Sequence, residues 1–164
     1  MLFTMRIMGR SQAKSVLGSL SGKRNTDFYT DLYIPPSKIS LEHVVPRSRL
    51  PPGLIWDIHN LRIVDRDLNS VRSNTRFGNK TIQNVSFCPY KNKGSVSRIC
   101  AHMFDACKDI DYNMKEDLVI DRLLMLQWDE KYPVTDEEKY MNDHIYFVQG
   151  TYNKYVEGEK DIGS

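Results

Sequence analysis

Disulfide scaffolding, membrane spans and internal repeats are all missing from this chain. Its three cysteines, Cys88, Cys100 and Cys107, are too few and odd in number for a disulfide framework. No run of about 18 apolar residues occurs, the length at which a segment starts to read as a membrane span. The start, "MLFTMRIMGRSQAK", is apolar only in fragments, broken by Arg6 and Gly9, and makes a poor secretory leader. These absences predict an intracellular or viral protein that does not use a membrane, with secretion left open by the apolar start. No long low-complexity segment interrupts the pattern. With 164 residues and an apolar fraction of 40%, the chain has material for one domain with its own core.

What is present is unevenly distributed. Residues 1–100 hold 16 Lys/Arg against 6 Asp/Glu, while residues 101–164 hold 7 against 15. The near-neutral total of +2 therefore hides a basic first half, which suggests an anionic partner such as nucleic acid. The bland alternative is that the two halves neutralise each other across the fold.

The β-branched "ISLEHVV" (39–45) reads as a strand ended by Pro46, and "IHNLRIV" (58–64) as a second. "DRDLNSVRSN" follows as a helix with Asp65 at its N-cap. A short strand is expected within 81–87. Helices are expected at 95–107, at 117–132 and from Asp136 to Gln149, the last with a Thr135/Glu138 capping box and a Gly150 stop. The reading is α+β, a small antiparallel element followed by packed helices. Residues 1–30 form a partly flexible arm, 31–156 the domain and 157–164 a tail.

The strand–loop–strand–helix unit carries the chemistry. Cleaving a phosphodiester needs a base for the attacking water and cationic groups for the charge that builds on phosphoryl oxygens. His43 offers an imidazole that is neutral near pH 7. Glu42 and Asn69 offer a carboxylate and an amide oxygen, the donors a hard divalent cation prefers. Every permanent cation between 47 and 76 is an arginine (Arg47, Arg49, Arg62, Arg66, Arg72, Arg76), which suits forked binding of phosphate. On an extended helix Asn69, Arg72, Ser73 and Arg76 share a face, leaving Leu68, Val71 and Thr75 to pack on the strands. One objection is geometric: neighbours on a strand point to opposite faces, so Glu42 and His43 need a bend or a strand end to serve one site.

Four blocks, "SLEHVVPRS", "DIHNLRIVDRDLNSVRSN", "KGSVSRICAHMF" and "PVTDEEKYMNDHIYFVQGTYNKYV", together resemble the bacterial endonuclease I family of ββα-metal (His-Me finger) nucleases. The resemblance runs over roughly residues 38–156. It implies an endonuclease of low sequence preference acting on DNA and often RNA. One divalent cation is implied, Mg²⁺ first, with Mn²⁺ or Ca²⁺ as alternatives, and products ending in 5′-phosphate and 3′-hydroxyl groups. His43 matches the general base, Glu42 and Asn69 the metal ligands, and Asn60 the asparagine that braces the loop. Arg47 or Arg49 is the candidate for stabilising the transition state. Arg62, Arg72, Arg76 and Arg98 are candidate nucleic-acid contacts, Arg98 alternatively pairing within the fold.

Departures accompany the likeness. Only residues 44–56 separate His43 from Asp57, a shorter loop than secreted members have, and their disulfide cysteines are absent. "QGTYNKYV" carries Thr151 and Lys154 where the family more often has Asn and Pro. His59 is expected to be buried or hydrogen-bonded, and Cys100 and Cys107 to pack in the core, because their spacing does not suit zinc. A protein that kept the fold but only binds nucleic acid is the alternative reading. A sequence-specific relative would need a recognition module for which no residues remain. A cell making such an enzyme needs an inhibitor protein or a compartment.

Overall fold

The computed structural model describes residues 9–20 and 25–163. The unit predicted to carry the chemistry folds as an antiparallel pair followed directly by a helix. β1 (Ile39–His43) pairs with β2 (Leu61–Asp65) in the register Glu42↔Arg62 and His43↔Leu61. The helix α2 (Arg66–Arg72) then packs back on both strands. Asp65 caps it as expected, accepting from the Asp67 and Leu68 amides.

β2 begins three residues later than the sequence pattern predicts. Ile58–Asn60 is a 3₁₀ turn instead, started by the Asp57 side chain accepting from the His59 amide. This local hydrogen bond competes with the strand ladder for that backbone.

Two apolar clusters lie on either side of the hairpin. Leu41 and Leu61 belong to one with Ile58, Ile145, Ala13 and Leu17; Val44 and Val64 belong to the other with Tyr29, Phe77, Ile99 and Trp128. A hairpin covered on both faces has no solvent side, so polar residues on it must be buried with partners. Glu42 and Arg62 are those residues.

The helix α1 (Arg10–Leu20) supplies Ala13 and Leu17 to the smaller cluster. Asp27 is also buried, accepting from the Tyr29 and Asp65 amides. Residues 27–29 are thus packed into the body. The readings made on residues 1–8 and 21–24, including the leader question, lie outside the described residues.

β3 (Arg76–Phe77) and β4 (Ser86–Phe87) form a minimal parallel pair, so the strand expected across 81–87 shrinks to its last two residues. α3 (Lys93–Asp109) is the central helix, its buried face including Val96, Ile99, Cys100, Met103 and Cys107. The expected helix at 117–132 is shorter: Ile120 bridges to Phe77 and α4 (Arg122–Lys131) starts at the Asp121 cap. α5 (Asp136–Gln149) is capped by Thr135 and ends at Gly150 with φ 82°, and α6 (Lys154–Glu157) follows. No helix among the described residues is long and apolar enough to cross a membrane.

Arg98 ties α3 to α4 and α5. Its Nε and Nη2 donate to the two Glu138 oxygens at 2.7 and 2.9 Å, and Nη1 donates to Asp129 at 2.6 Å. Nη1 and Nη2 also reach the Tyr132 carbonyl. Gly94 permits that approach, because a Cβ there would overlap the Tyr132 carbonyl oxygen and the guanidinium. Glu138 is therefore committed to Arg98, and only the Thr135 half of the expected capping box forms. Removing one member of a buried ion pair strands the rest, whereas replacing the pair can be nearly neutral. Arg98→Met should lose about 3–5 kcal/mol in urea denaturation, and Arg98→Met with Glu138→Leu should recover most of it. Equal losses in the single and double variants would refute this account.

Candidate active site

Glu42 is 3% exposed, yet it is a carboxylate. Its Oε2 accepts from the Tyr29 hydroxyl at 2.9 Å and from Arg72 Nη1 at 3.1 Å. Burial raises its pKa, with Arg72 and the Tyr29 hydrogen bond working in the opposite direction. Tyr29 is itself pushed well above the ordinary phenol range, first by burial and then by the Glu42 charge, so it stays a donor.

Arg72 is fully buried. Besides Glu42 it donates to the carbonyls of His43 and Val44, at 3.0 and 2.8 Å, and its guanidinium carbon lies 4.4 Å from the centre of the Phe77 ring. The expectation that it faces nucleic acid therefore does not match its placement. α2 stops at Arg72 and Ser73 turns with φ 49°, so Arg76 leaves the helix and begins β3. Val71, expected in the core, is 65% exposed. The helix is rotated toward the cation because an unpaired buried carboxylate costs more than an exposed valine.

His43 closes β1. Its Nε2 lies 3.0 Å from the Ile55 carbonyl, which can only accept, so Nε2 carries the proton and Nδ1 keeps its lone pair. Burial lowers its pKa, against the Ile55 hydrogen bond, which keeps the ring neutral at pH 7. Trp56 packs 5.7 Å away, and the Arg47 guanidinium carbon lies 5.6 Å from a ring centre of the same indole.

Asn69 is brought to the same strand from α2. Its Nδ2 donates to Ser40 Oγ at 2.9 Å and to the Leu41 carbonyl at 3.2 Å. Ser40 and Glu42 lie two apart and share a strand face. Asn69 and Glu42 thus converge on one face, while His43 leaves from the strand end. No hydrogen bond joins the three; each is oriented by its own neighbours.

Asn60 is completely buried and clamps the loop beyond His43. Its Oδ1 accepts from the Val45 amide at 2.7 Å and its Nδ2 donates to the Val45 carbonyl at 2.9 Å. Val45 is thus held through both its amide and its carbonyl. Arg62 is 7% exposed, donating from Nη1 to the Ile58, His59 and Leu61 carbonyls and covering Phe28; Arg98 is 2% exposed in its ion-pair cluster. Both are internal, so neither is placed to meet a strand of nucleic acid. Arg47 is exposed, and Arg49 and Arg76 are partly so.

The sequence reading missed a further group. Asp57, His59 and His102 offer donor atoms that all lie within 4.8 Å of one another. Burial favours the neutral His59 ring and brings its pKa down to about 4. Burial pushes Asp57 upward, but hydrogen bonding and charge from His102 outweigh it and hold the carboxylate low. Asp57 and His59 lie in a motif read for Asn60, and His102 lies 45 residues away in the helix. Only the fold brings the three together.

A small α+β domain thus presents a buried carboxylate, an oriented amide and an imidazole with one bare nitrogen at a hairpin–helix junction. Residues 89–159 match the family described as Endonuclease I. A curated relative, "Endonuclease-1" of Buchnera aphidicola subsp. Baizongia pistaciae (strain Bp), is 31% identical over 117 residues. That alignment covers 61% of this chain and 45% of the relative, so the chain spans about half the length of the protein it matches. The chain resembles the bacterial endonuclease I family, and both matches bear the resemblance out. The matched segment holds α3 to α6; Glu42, His43, Asn60 and Asn69 lie before it.

Losing the Asn60 side chain would leave the amide and carbonyl of Val45 without partners in a dry interior. Asn60→Ala should lower unfolding stability by about 2–6 kcal/mol, at about 1–3 for each of the two stranded groups. Chemical denaturation followed by circular dichroism checks this, and a loss below about 1 kcal/mol would show that the clamp contributes little.

Proposed function

We propose that the chain is a metal-dependent endonuclease of low sequence specificity that hydrolyses DNA, and also RNA, to 5′-phosphate and 3′-hydroxyl ends. The observation that carries this reading is the His43 tautomer. With Nε2–H given to the Ile55 carbonyl, Nδ1 is the atom that takes the proton from water as it attacks phosphorus. The Ile55 bond also holds the ring and stabilises the imidazolium that forms.

The donor set fits one divalent cation. The Glu42 Oε2 is occupied by Tyr29 and Arg72, which leaves Oε1 as the carboxylate oxygen for a ligand role. The Asn69 amide is anchored through its nitrogen, which leaves its oxygen for the same role. Such an ion, Mg²⁺ or Mn²⁺ in this setting, would supply Lewis-acid polarisation of the scissile phosphate. Because Arg72 already offsets the Glu42 charge, the protein part of the site is weakly anionic. Loose binding that tightens with substrate phosphate is expected.

Phosphate contact falls to the cations left at the surface. Arg47 and Arg49 stand in the loop after His43, where one of them faces the transition-state charge, and Arg76 stands beyond α2. This is a smaller set than the sequence suggested, since Arg62, Arg72 and Arg98 are spent internally. The enlarged internal share of arginine also keeps a second reading in view, a protein that binds nucleic acid without turnover.

Plasmid nicking separates the two. Purified protein should degrade supercoiled plasmid with Mg²⁺ or Mn²⁺ and stop when EDTA is added. His43→Ala should lower the rate at least a hundredfold while retaining plasmid in a gel-shift assay. Cutting at the parental rate by His43→Ala would remove His43 as the base, and no cutting by the parent with any divalent ion would favour the binding protein. Arg47→Ala combined with Arg49→Ala should slow turnover further than it weakens binding. A uniform loss of binding alone would assign the two arginines to substrate attraction.

A further inference from the structure

We infer that Asp57, His59 and His102 form a second metal site, specific for a borderline divalent ion such as Zn²⁺ and separate from the Glu42–Asn69 pair. Imidazole nitrogen and carboxylate oxygen are the donors zinc takes, and Mg²⁺ does not favour imidazole. The geometry suits the ion. Zn–N and Zn–O bonds of about 2.0–2.2 Å set at tetrahedral angles place two donors about 3.4 Å apart. Asp57 Oδ2 and His102 Nε2 are 3.4 Å apart, long for a hydrogen bond and right for two corners of a tetrahedron. All three donors fall within 4.8 Å of one another, and the His59 and His102 ring centres are 4.4 Å apart with their planes tilted by 55°.

The surroundings orient the ligands as metal sites require. His59 Nε2 donates to the Thr151 carbonyl at 2.7 Å, which fixes the tautomer with its lone pair on Nδ1. Asp57 Oδ1 accepts from Gln149 Nε2 and from the His59 amide, both at 2.9 Å, so Oδ2 is the oxygen turned to His102. The Asp57 and His102 side chains retain 12% and 14% exposure, enough for a water to complete four-coordination. An ion here would cross-link the turn before β2 to α3, with His59 held in place by the Thr151 carbonyl. That turn carries Asn60, so the same link would stiffen the loop beyond His43 without touching its ring.

X-ray absorption on the full chain tests this. Protein stripped with EDTA, dialysed and titrated with ZnCl₂ alone should take up one tight equivalent. Its spectrum should show imidazole scattering from two histidines. His102→Phe, which keeps the ring volume, should weaken zinc binding at least tenfold, while His43→Ala should bind zinc like the parent. Absence of tight zinc, or a shell of oxygen donors alone, would overturn the site. The oxygen shell would point instead to Glu42 and Asn69, leaving the nuclease reading standing. If His102→Phe fails to fold, the parental spectrum alone decides.

Discussion

The buried contact between Arg72 and Glu42 is the constraint around which the hairpin–helix unit is arranged. A carboxylate enclosed between two apolar clusters is costly unless it is paired and hydrogen-bonded. Arg72 supplies the pairing from α2, and Tyr29 supplies a second donor from before the hairpin. The same guanidinium holds the carbonyls of His43 and Val44, so one side chain fixes both the carboxylate and the backbone from which the imidazole leaves. The fit is not complete: Arg72 Nε is buried without a protein partner. Pairs of this kind add little net stability but strongly favour one geometry, which is the property a catalytic arrangement needs.

Three of the described arginines, Arg62, Arg72 and Arg98, are used inside this protein. Each serves carbonyls or carboxylates in the interior, two of them also covering an aromatic ring. The properties that suit arginine to phosphate, a planar fork of donors and a charge that is weakly hydrated, suit it equally to clusters of carbonyl oxygens. An abundance of arginine in a segment is thus ambiguous until burial is known. Here the ambiguity falls unevenly, since Arg47, Arg49 and Arg76 retain access to solvent.

Much of the architecture was legible in local patterns. The Asp65 and Thr135 caps, the Gly150 stop, the apolar face of α3 and the two strands of the hairpin are all set by neighbours within a few residues. Errors arose where a short-range bond or a distant partner prevailed. Asp57 turned 58–60 out of the strand, and Phe77 captured Ile120 before the helix expected to include it. Val71 went to solvent because Arg72 was needed inside. Each of these outcomes depends on a contact that periodicity does not record.

The amino-acid order alone determined which chemical groups stand together in the chain: Glu42 beside His43, Asn69 three residues before Arg72, and Asn60 two residues before Arg62. It also determined the caps and the alternation that commit those residues to strand, turn and helix. Tertiary structure decided which nitrogen of His43 is bare, which arginines are consumed as internal partners, and that His102 meets Asp57 and His59. Hydrogen-bond direction and burial arise between segments remote in sequence, and desolvation then makes any wrong partner costly.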